Sequence, residues 1–259
     1  MDIEKFNFIK QKYGYLASWA IWKEQGNHPP MFNIGDLSVL DPQQNPNLLS
    51  QLKPDVVFVG LNTSTDINDL GPFSNFHSSS PHARDYKIRF ALKDTELWGA
   101  YMTDIIKDYP ELHGQTVVNY LNANPDVEEK NIDIFREELK DLGTENPTII
   151  AFGNAAHSIL TRNLNNEFNI FQVTHYAHFI NQHNYRDEIK SLIERIQINS
   201  EIKTDKSDVL KSYKVKNVIS EEKTLDNFTN KTEQILTELK RIRLLLFVIV
   251  FVLIVGFII

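Results

Sequence analysis

The sequence predicts an α/β fold with three layers, helices covering both faces of a central, mainly parallel, four-stranded sheet. It also predicts a helical stalk and one C-terminal transmembrane helix after that body. Three observations carry this. Short continuous apolar runs, Val56–Val59, Ala100–Ile106, Thr148–Phe152 and Phe168–Val173, are the pattern of strands buried on both faces. Segments of helical periodicity lie among those runs, the arrangement of βαβ units. Finally, Leu244 to Ile259 reads LLLFVIVFVLIVGFII, with no charge to its last residue.

Taken in order, residues 3–25 place Ile3, Phe6, Ile9, Tyr13, Leu16, Trp19, Ala20 and Trp22 mostly at helical spacing, which predicts one or two amphipathic helices broken near Gly14. A loop-rich stretch runs to Pro54. The first strand is expected to stop at Gly60, where a polar loop begins with Asn62, Thr63, Ser64 and Thr65. In open α/β sheets ligands sit just beyond the carboxyl ends of strands, so Asn62 stands where a reacting group would; the alternative is a turn that merely ends the strand. Gly71 to Pro81 is a long polar connection holding Phe73, Phe76 and His77. The helix expected over Asp85–Lys93 carries, with Arg84, the densest basic cluster of the globular part: Arg84, Lys87, Arg89 and Lys93. That cluster reads either as a solvated face or as a lip that contacts phosphates.

Ala100–Ile106 is the second strand, with Asp104 near its end. Pro125–Leu142 is a helix with Val127, Ile132, Phe135 and Leu139 on one face and Gly143 behind it. Thr148–Phe152 is the third strand, from which Gly153 and Asn154 lead into a helix over Ala155–Leu164. Phe168–Val173 is the fourth, followed by Thr174, His175, Tyr176, Ala177 and His178; a last helix covers Asn184–Ile198.

The expected domains are a globular part over residues 1–198, a polar, lysine-rich linker over 199–223, a stalk over 224–243 and an anchor over 244–259. In the stalk, Leu225, Phe228, Thr232, Ile235, Leu239, Ile242 and Leu246 alternate steps of three and four, which suits either a coiled-coil seam and a homo-oligomer or a single amphipathic helix. The anchor is slightly shorter than the roughly 20 residues a spanning helix prefers. Lys240, Arg241 and Arg243 precede it and would hold the globular part on the cytoplasmic side of the membrane.

Composition narrows the chemistry. The chain has no cysteine, which excludes disulfides, thiolate zinc sites, iron–sulfur clusters and cysteine nucleophiles. Residues 1–200 hold 17 Lys and Arg against 26 Asp and Glu, a net −9, and residues 201–259 hold 10 against 8, a net +2, together the chain's −7. An acidic body argues against a broad electrostatic grip on duplex DNA. His175, His178 and His183 have no spacing that argues for a metal site, and no cofactor or metal is expected. The N-terminus carries no pattern of a secretory signal.

Three strand ends thus carry polar groups: Asn62, Asp104 and His175. The combination resembles the uracil-DNA glycosylase superfamily. Gly60, Leu61 and Asn62 match the start of the GINPG loop of its mismatch-specific branch, with Thr63 in place of proline. His175 matches the histidine of its His-Pro-Ser loop, with Tyr176 and Ala177 in place of the other two. Gly153, Asn154 and Ala155 look like its glycine-to-helix turn. The resemblance covers roughly residues 30–198.

What it implies is hydrolysis of an N-glycosidic bond of a base or modified base in DNA. Asn62 and His175 would be the catalytic residues, and Gly60, Leu61, Thr63, Phe76, Asp104 and Asn154 would bind the substrate. His175 would donate to the leaving base. Asn62 would orient a water, although an amide is a poor general base, so the enzyme would be slow or would act on bases that leave easily. Phe76 would stack on an unstacked base, or else simply pack in the core. Asp104 stands where the family often has Asn; an ionised Asp only accepts, which suits an amino group better than the carbonyl of uracil, unless it is a structural cap. A membrane location would suit an enzyme that meets incoming foreign DNA. The alternatives are a catalytically weak or inactive sensor that binds a nucleobase or nucleotide and signals at the membrane, and a membrane scaffold without a ligand.

Overall fold

The computed structural model describes residues 1–64, 71–201, 231–232 and 234–241. Contacts divide the chain into two compact units, Met1–Gln197 and Ile198–Ile259. In the first unit the elements are α1 (Ile3–Tyr13), β1 (Ser18–Trp19), a 3-10 turn (Leu37–Leu40), α2 (Leu48–Gln51), β2 (Lys53–Asn62), α3 (Asp85–Leu92), β3 (Ala100–Ile106), α4 (Gly114–Ala123), α5 (Pro125–Leu142), β4 (Thr148–Phe152), α6 (Gly153–Leu164) and β5 (Asn169–Val173). A final helix, α7, covers residues 182–201.

The fold is α/β with a five-stranded, mostly parallel sheet in the order β1-β3-β2-β4-β5. The expected four strands are present and parallel to one another, and β1 adds a fifth, antiparallel to β3, pairing Ser18 with Met102 and Trp19 with Tyr101. This corrects the expectation of helix through residue 25. Helix α1 starts on the Asp2 side chain, which accepts the Lys5 N–H at 2.7 Å, and ends at Gly14. Periodicity could not reveal β1, because two residues are too few to show alternation and the pairing comes from a partner about 80 positions away. Strand β2 also runs further than expected. Gly60 does not end it but pairs with Asp104, and Asn62 pairs with Ile106. Pro54 is accommodated because the ladder with β3 is irregular between Lys53 and Val57.

Alternation on the strands sorts the core into two layers. Val57, Val59, Leu61, Tyr101, Ile105, Ile149 and Ala151 face α1, α4, α5 and α6. Phe58, Met102, Ile150, Phe152 and Val173 face α3 and α7, meeting Ile88, Leu92, Tyr185, Ile189 and Leu192. On the first face, one polar system is fully internal. The Lys107 ammonium lies 2.6 Å from Glu138 and 2.7 Å from the Thr103 hydroxyl, while the other Glu138 oxygen accepts from Tyr101 at 2.7 Å. Asn131 on α5 accepts the Lys107 backbone N–H and so fixes where the chain leaves β3.

In the second unit, Ile235, Leu236 and Leu239 are exposed on the helical residues 234–241. The other seam positions except Thr232 lie outside the described residues, as do the anchor over 244–259 and most of the linker. Among the described residues no helix is long and apolar enough to cross a membrane.

Replacing Glu138 with Ala would leave the Lys107 ammonium buried without its counter-charge. The expected loss of stability is on the order of 3–5 kcal/mol, measured by urea denaturation of the globular unit within the full chain.

Candidate functional site

Strand β2 is followed in sequence by β3 on one side and, after a crossover, by β4 on the other, so the strand order reverses between β2 and β4. The crevice beyond the carboxyl ends of the strands at such a reversal is where open α/β sheets hold ligands. Four strand ends contribute to it here.

The arrangement is built on Gly60. A methyl group on its α-carbon would lie 2.1 Å from Oδ1 of Asp104 and 3.7 Å from the tip of the Phe76 ring. Only glycine therefore lets the neighbouring strand's carboxylate and an aromatic ring settle against β2. Asp104 is 3% exposed. Its Oδ2 accepts from the Asn75 amide at 2.9 Å, and the same amide nitrogen donates to the Leu16 carbonyl at 2.7 Å. The Asn75 Oδ1 takes the Phe76 N–H, so the amide orientation is set on both sides. Oδ1 of Asp104 receives no hydrogen bond from any described residue. Burial pushes the Asp104 carboxyl up to about 6, against the opposing pulls of the Asn75 donor and the Lys107 charge.

The loop that delivers Phe76 is strained. Phe73 and Phe76 both have left-handed backbones, at φ 64° and 66°, a conformation that costs an aromatic residue on the order of 1–3 kcal/mol. Tertiary bonds hold it there. The Phe73 carbonyl accepts from the Ser18 hydroxyl at 2.9 Å, its N–H donates to Gly14, and the Phe76 carbonyl accepts from the Trp22 indole at 3.3 Å.

Across the crevice, Phe152 ends β4 and its ring lies 6.2 Å from that of Phe76. His175 lies 6.3 Å and Tyr176 5.4 Å from Phe152, and the His175 and Tyr176 rings stack at 4.5 Å. The Gly153 backbone, at φ 81°, leaves room for His175, whose Cβ would be 3.2 Å from a methyl group at that position. The Ala177 N–H donates to Nδ1 of His175 at 3.1 Å, so the proton of the neutral ring sits on Nε2. Burial, with a smaller contribution from His178, pushes the imidazole down to about 4, so at neutral pH His175 is an uncharged Nε2–H donor. Asp85, the first residue of α3, adds a second buried carboxyl. It accepts the Ser78 N–H at 2.7 Å, and burial raises it to about 6. The Tyr176 hydroxyl feels both Asp85 and Asp104, which together with burial hold its pKa far above the ordinary value.

Of the residues singled out from sequence, Gly60, Phe76, Asp104 and His175 come together on one face of the sheet. Asn62, Leu61, Thr63 and Asn154 do other things. The Asn62 Nδ2 is turned to three carbonyls, those of Thr63 at 2.8 Å, Tyr109 at 3.0 Å and Glu111 at 2.8 Å, and so ties the end of β2 to the loop after β3. Among the described residues nothing donates to its Oδ1, which could hold a water. Thr63 is buried, and its carbonyl also takes the Glu111 N–H. Leu61 is a core side chain of the opposite face, against α4. Asn154 is exposed and accepts from Gln172, beside a cleft of about 230 Å³ between α4 and α6.

The basic cluster disperses. Lys93 pairs with Glu24, Lys87 donates to the His178 carbonyl at 2.9 Å, Arg89 is buried with its Nη1 lacking a partner, and Arg84 is exposed. Both sequence readings assumed solvent on α3, whereas seven of its eight residues are buried. Sequence reasoning passed over Asn75, Asp85 and Phe152, which carry no motif. It also passed over Phe179, fully exposed (105%) on the loop after His175. Among the described residues no group of three His, Asp or Glu side chains could hold a metal ion. Comparison with protein-family models, with curated proteins and with solved structures finds no match for this chain.

Two outcomes follow from these contacts. Asn62→Asp, which would supply a carboxylate base, instead sets a carboxylate oxygen against three carbonyl oxygens; we expect a loss of roughly 1–3 kcal/mol in urea denaturation and no gain in activity. The second concerns pH. The raised carboxyls of Asp104 and Asp85 bind protons more tightly in the folded state, so they add stability as pH falls through about 6. His175 and His77, both lowered to about 4, bind protons less tightly when folded and remove stability as pH falls from the unfolded histidine range towards 4. Asp104→Asn deletes one stabilising partner of this balance. Its stability should therefore drop more steeply than that of the unaltered chain between pH 7 and 4.5, by on the order of 1–2 kcal/mol in parallel urea titrations.

Proposed function

We propose that this protein is a uracil-DNA glycosylase-like enzyme that hydrolyses the N-glycosidic bond of a base or modified base in DNA. It would be held at the cytoplasmic face of a membrane by the segment over 244–259. The observation that supports this best is the placement of Phe76, Asp104 and His175, from three separate parts of the chain, at one end of the sheet, with Phe76 against Asp104 across Gly60 and Phe152 between Phe76 and His175. This end of the sheet supplies several things the reaction needs. An unstacked base requires an aromatic face; Phe76 and Phe152 pack in the core, at 6% and 2% exposure, and the half-buried rings next to Phe152 are His175 and Tyr176. Its edge requires a fixed polar partner, which is Asp104. Charge that develops on the leaving base requires a donor aimed into a dry site, and the neutral His175 carries its proton on Nε2.

The sugar is attacked by a water, and here the apparatus is weak. Asn62 can accept a hydrogen bond from that water through Oδ1 but cannot take its proton. Phe179 offers an exposed ring on the same loop as His175, suited to stacking on a base next to the one withdrawn. Arg84 remains exposed to meet a phosphate. Delivery to the membrane through the stalk would place such an enzyme where foreign DNA enters the cell.

The test is abasic-site formation by the full chain in detergent, read as alkaline cleavage of labelled single-stranded DNA that carries different bases. His175→Ala should lower the rate about 100-fold or more, and Phe179→Ala should weaken DNA binding with less effect on the rate at saturating DNA. Equal rates for His175→Ala and the unaltered chain would rule this site out.

The commitment of the Asn62 amide to three carbonyls favours a second reading, a nucleobase or nucleotide sensor without catalysis. On that reading a ligand is retained in equilibrium dialysis, its binding falls in His175→Ala, and no DNA is cleaved.

A further inference from the structure

A buried carboxylate normally has a cation beside it, because an uncompensated charge in the interior is costly. Asp104 has none. Lys107 is bonded to Glu138 and Thr103 instead, and no ion pair involving Asp104 occurs among the described residues. Asn75 satisfies Oδ2, while Oδ1 lies over Gly60 without a donor among the described residues. Asp85 repeats the pattern. One of its oxygens takes the Ser78 N–H, no ion pair involving Asp85 occurs among the described residues, and Lys87 on the same helix donates to a carbonyl. The Phe76 ring comes up to Asp104 across Gly60, Tyr176 senses the charge of both carboxylates, and the rings of Phe76, Phe152, His175 and Tyr176 follow one another with neighbouring centroids 4.5 to 6.3 Å apart. Acceptors, negative charge and aromatic faces make a site for a flat, positively charged group with N–H donors.

The reaction side leads to the same ligand. Asn62 cannot deprotonate the water and Asp104 is engaged with the base, so bond breaking is driven by the base itself. A base whose ring already carries a positive charge leaves as a neutral molecule and needs no strong general base. The C1′–N bond breaks, its electron pair returns to the ring nitrogen and cancels the charge, the water oxygen bonds to C1′, and its proton passes to solvent.

We propose that the site takes an amino-bearing base made cationic by alkylation on a ring nitrogen, as in N-methylated adenine, with Asp104 accepting from the amino group and serving as counter-ion. This rests on the glycosylase reading above and narrows its substrate. The rings contribute on the order of 0.5–2 kcal/mol through cation–π attraction, and the neutral His175 donor fits because a second cation would repel the ligand.

The test uses the full chain in detergent on two probes, DNA methylated with dimethyl sulfate and the same DNA carrying uracil, with released bases measured by mass spectrometry. Binding of 1-methyladenosine, an N-methylated adenine nucleoside that stays cationic at neutral pH, is measured in parallel by equilibrium dialysis. Methylated purine should be released at least tenfold faster than uracil. Asp104→Asn, which keeps an acceptor for Asn75 but replaces the charge, should lower that release at least tenfold while its circular dichroism is unchanged. Faster release of uracil would overturn this inference and leave the glycosylase reading standing. Binding of 1-methyladenosine that Asp104→Asn abolishes, without release of any base, would support the ligand class and overturn the glycosylase reading. Neither release nor binding would overturn both.

Discussion

The close approach of the Asp104 carboxylate to the backbone of Gly60 governs the functional end of this molecule. It requires a glycine at the one position of β2 that lies beside Asp104 in register. It requires Asn75 to reach the second carboxylate oxygen, and Asn75 in turn bonds to Leu16 and to the Phe76 N–H. Those bonds draw the loop after β2 across the sheet, and two phenylalanines take left-handed backbones along its path. A carboxylate without a cation and a loop under strain are both unfavourable locally. They persist because the parallel pairing of β2 with β3 and the packing of Phe58, Met102 and Phe152 hold the surroundings rigid.

The two faces of the sheet treat buried charge in opposite ways. On the α5 side, Lys107, Glu138, Tyr101 and Thr103 neutralise and hydrogen-bond one another, which fixes β3 and α5 without leaving a charge unanswered. On the α3 side, Asp104 and Asp85 remain incomplete. Groups left incomplete in a dry environment can respond most strongly to a ligand that completes them. The same dryness keeps His175 neutral, and the Ala177 N–H decides which nitrogen carries its proton.

Asn62 shows how a residue can carry a motif and yet act structurally. A side-chain amide is well suited to gather carbonyls at a chain reversal, and here it gathers three. That use leaves only its oxygen for chemistry. The helix α3 makes the complementary point. Its charged residues suggest a solvated face, yet α7, the 175–181 loop and the N-terminal segment cover it. Arg186 donates to the carbonyls of Phe90 and Lys93 at the end of α3 and so ties it to α7.

By itself the sequence determined the layers and most of their order, because buried parallel strands are recorded as apolar runs and long helices as periodic faces. Ala100–Ile106, Pro125–Leu142 and Thr148–Phe152 lie within the bounds their patterns indicate. It also marked Gly60, Asp104 and His175, since polar groups and glycines at strand ends are visible against apolar runs. Tertiary structure alone decided the rest. Strand β1 exists only because β3 is there to pair with it, β2 extends through Gly60 only because Asp104 lies alongside, and the orientation of the Asn62 amide was set by carbonyls about 50 residues away. No local pattern records which neighbour a long-range fold will bring, and that neighbour made Asn62 a staple and left Asp104 without an ion pair among the described residues.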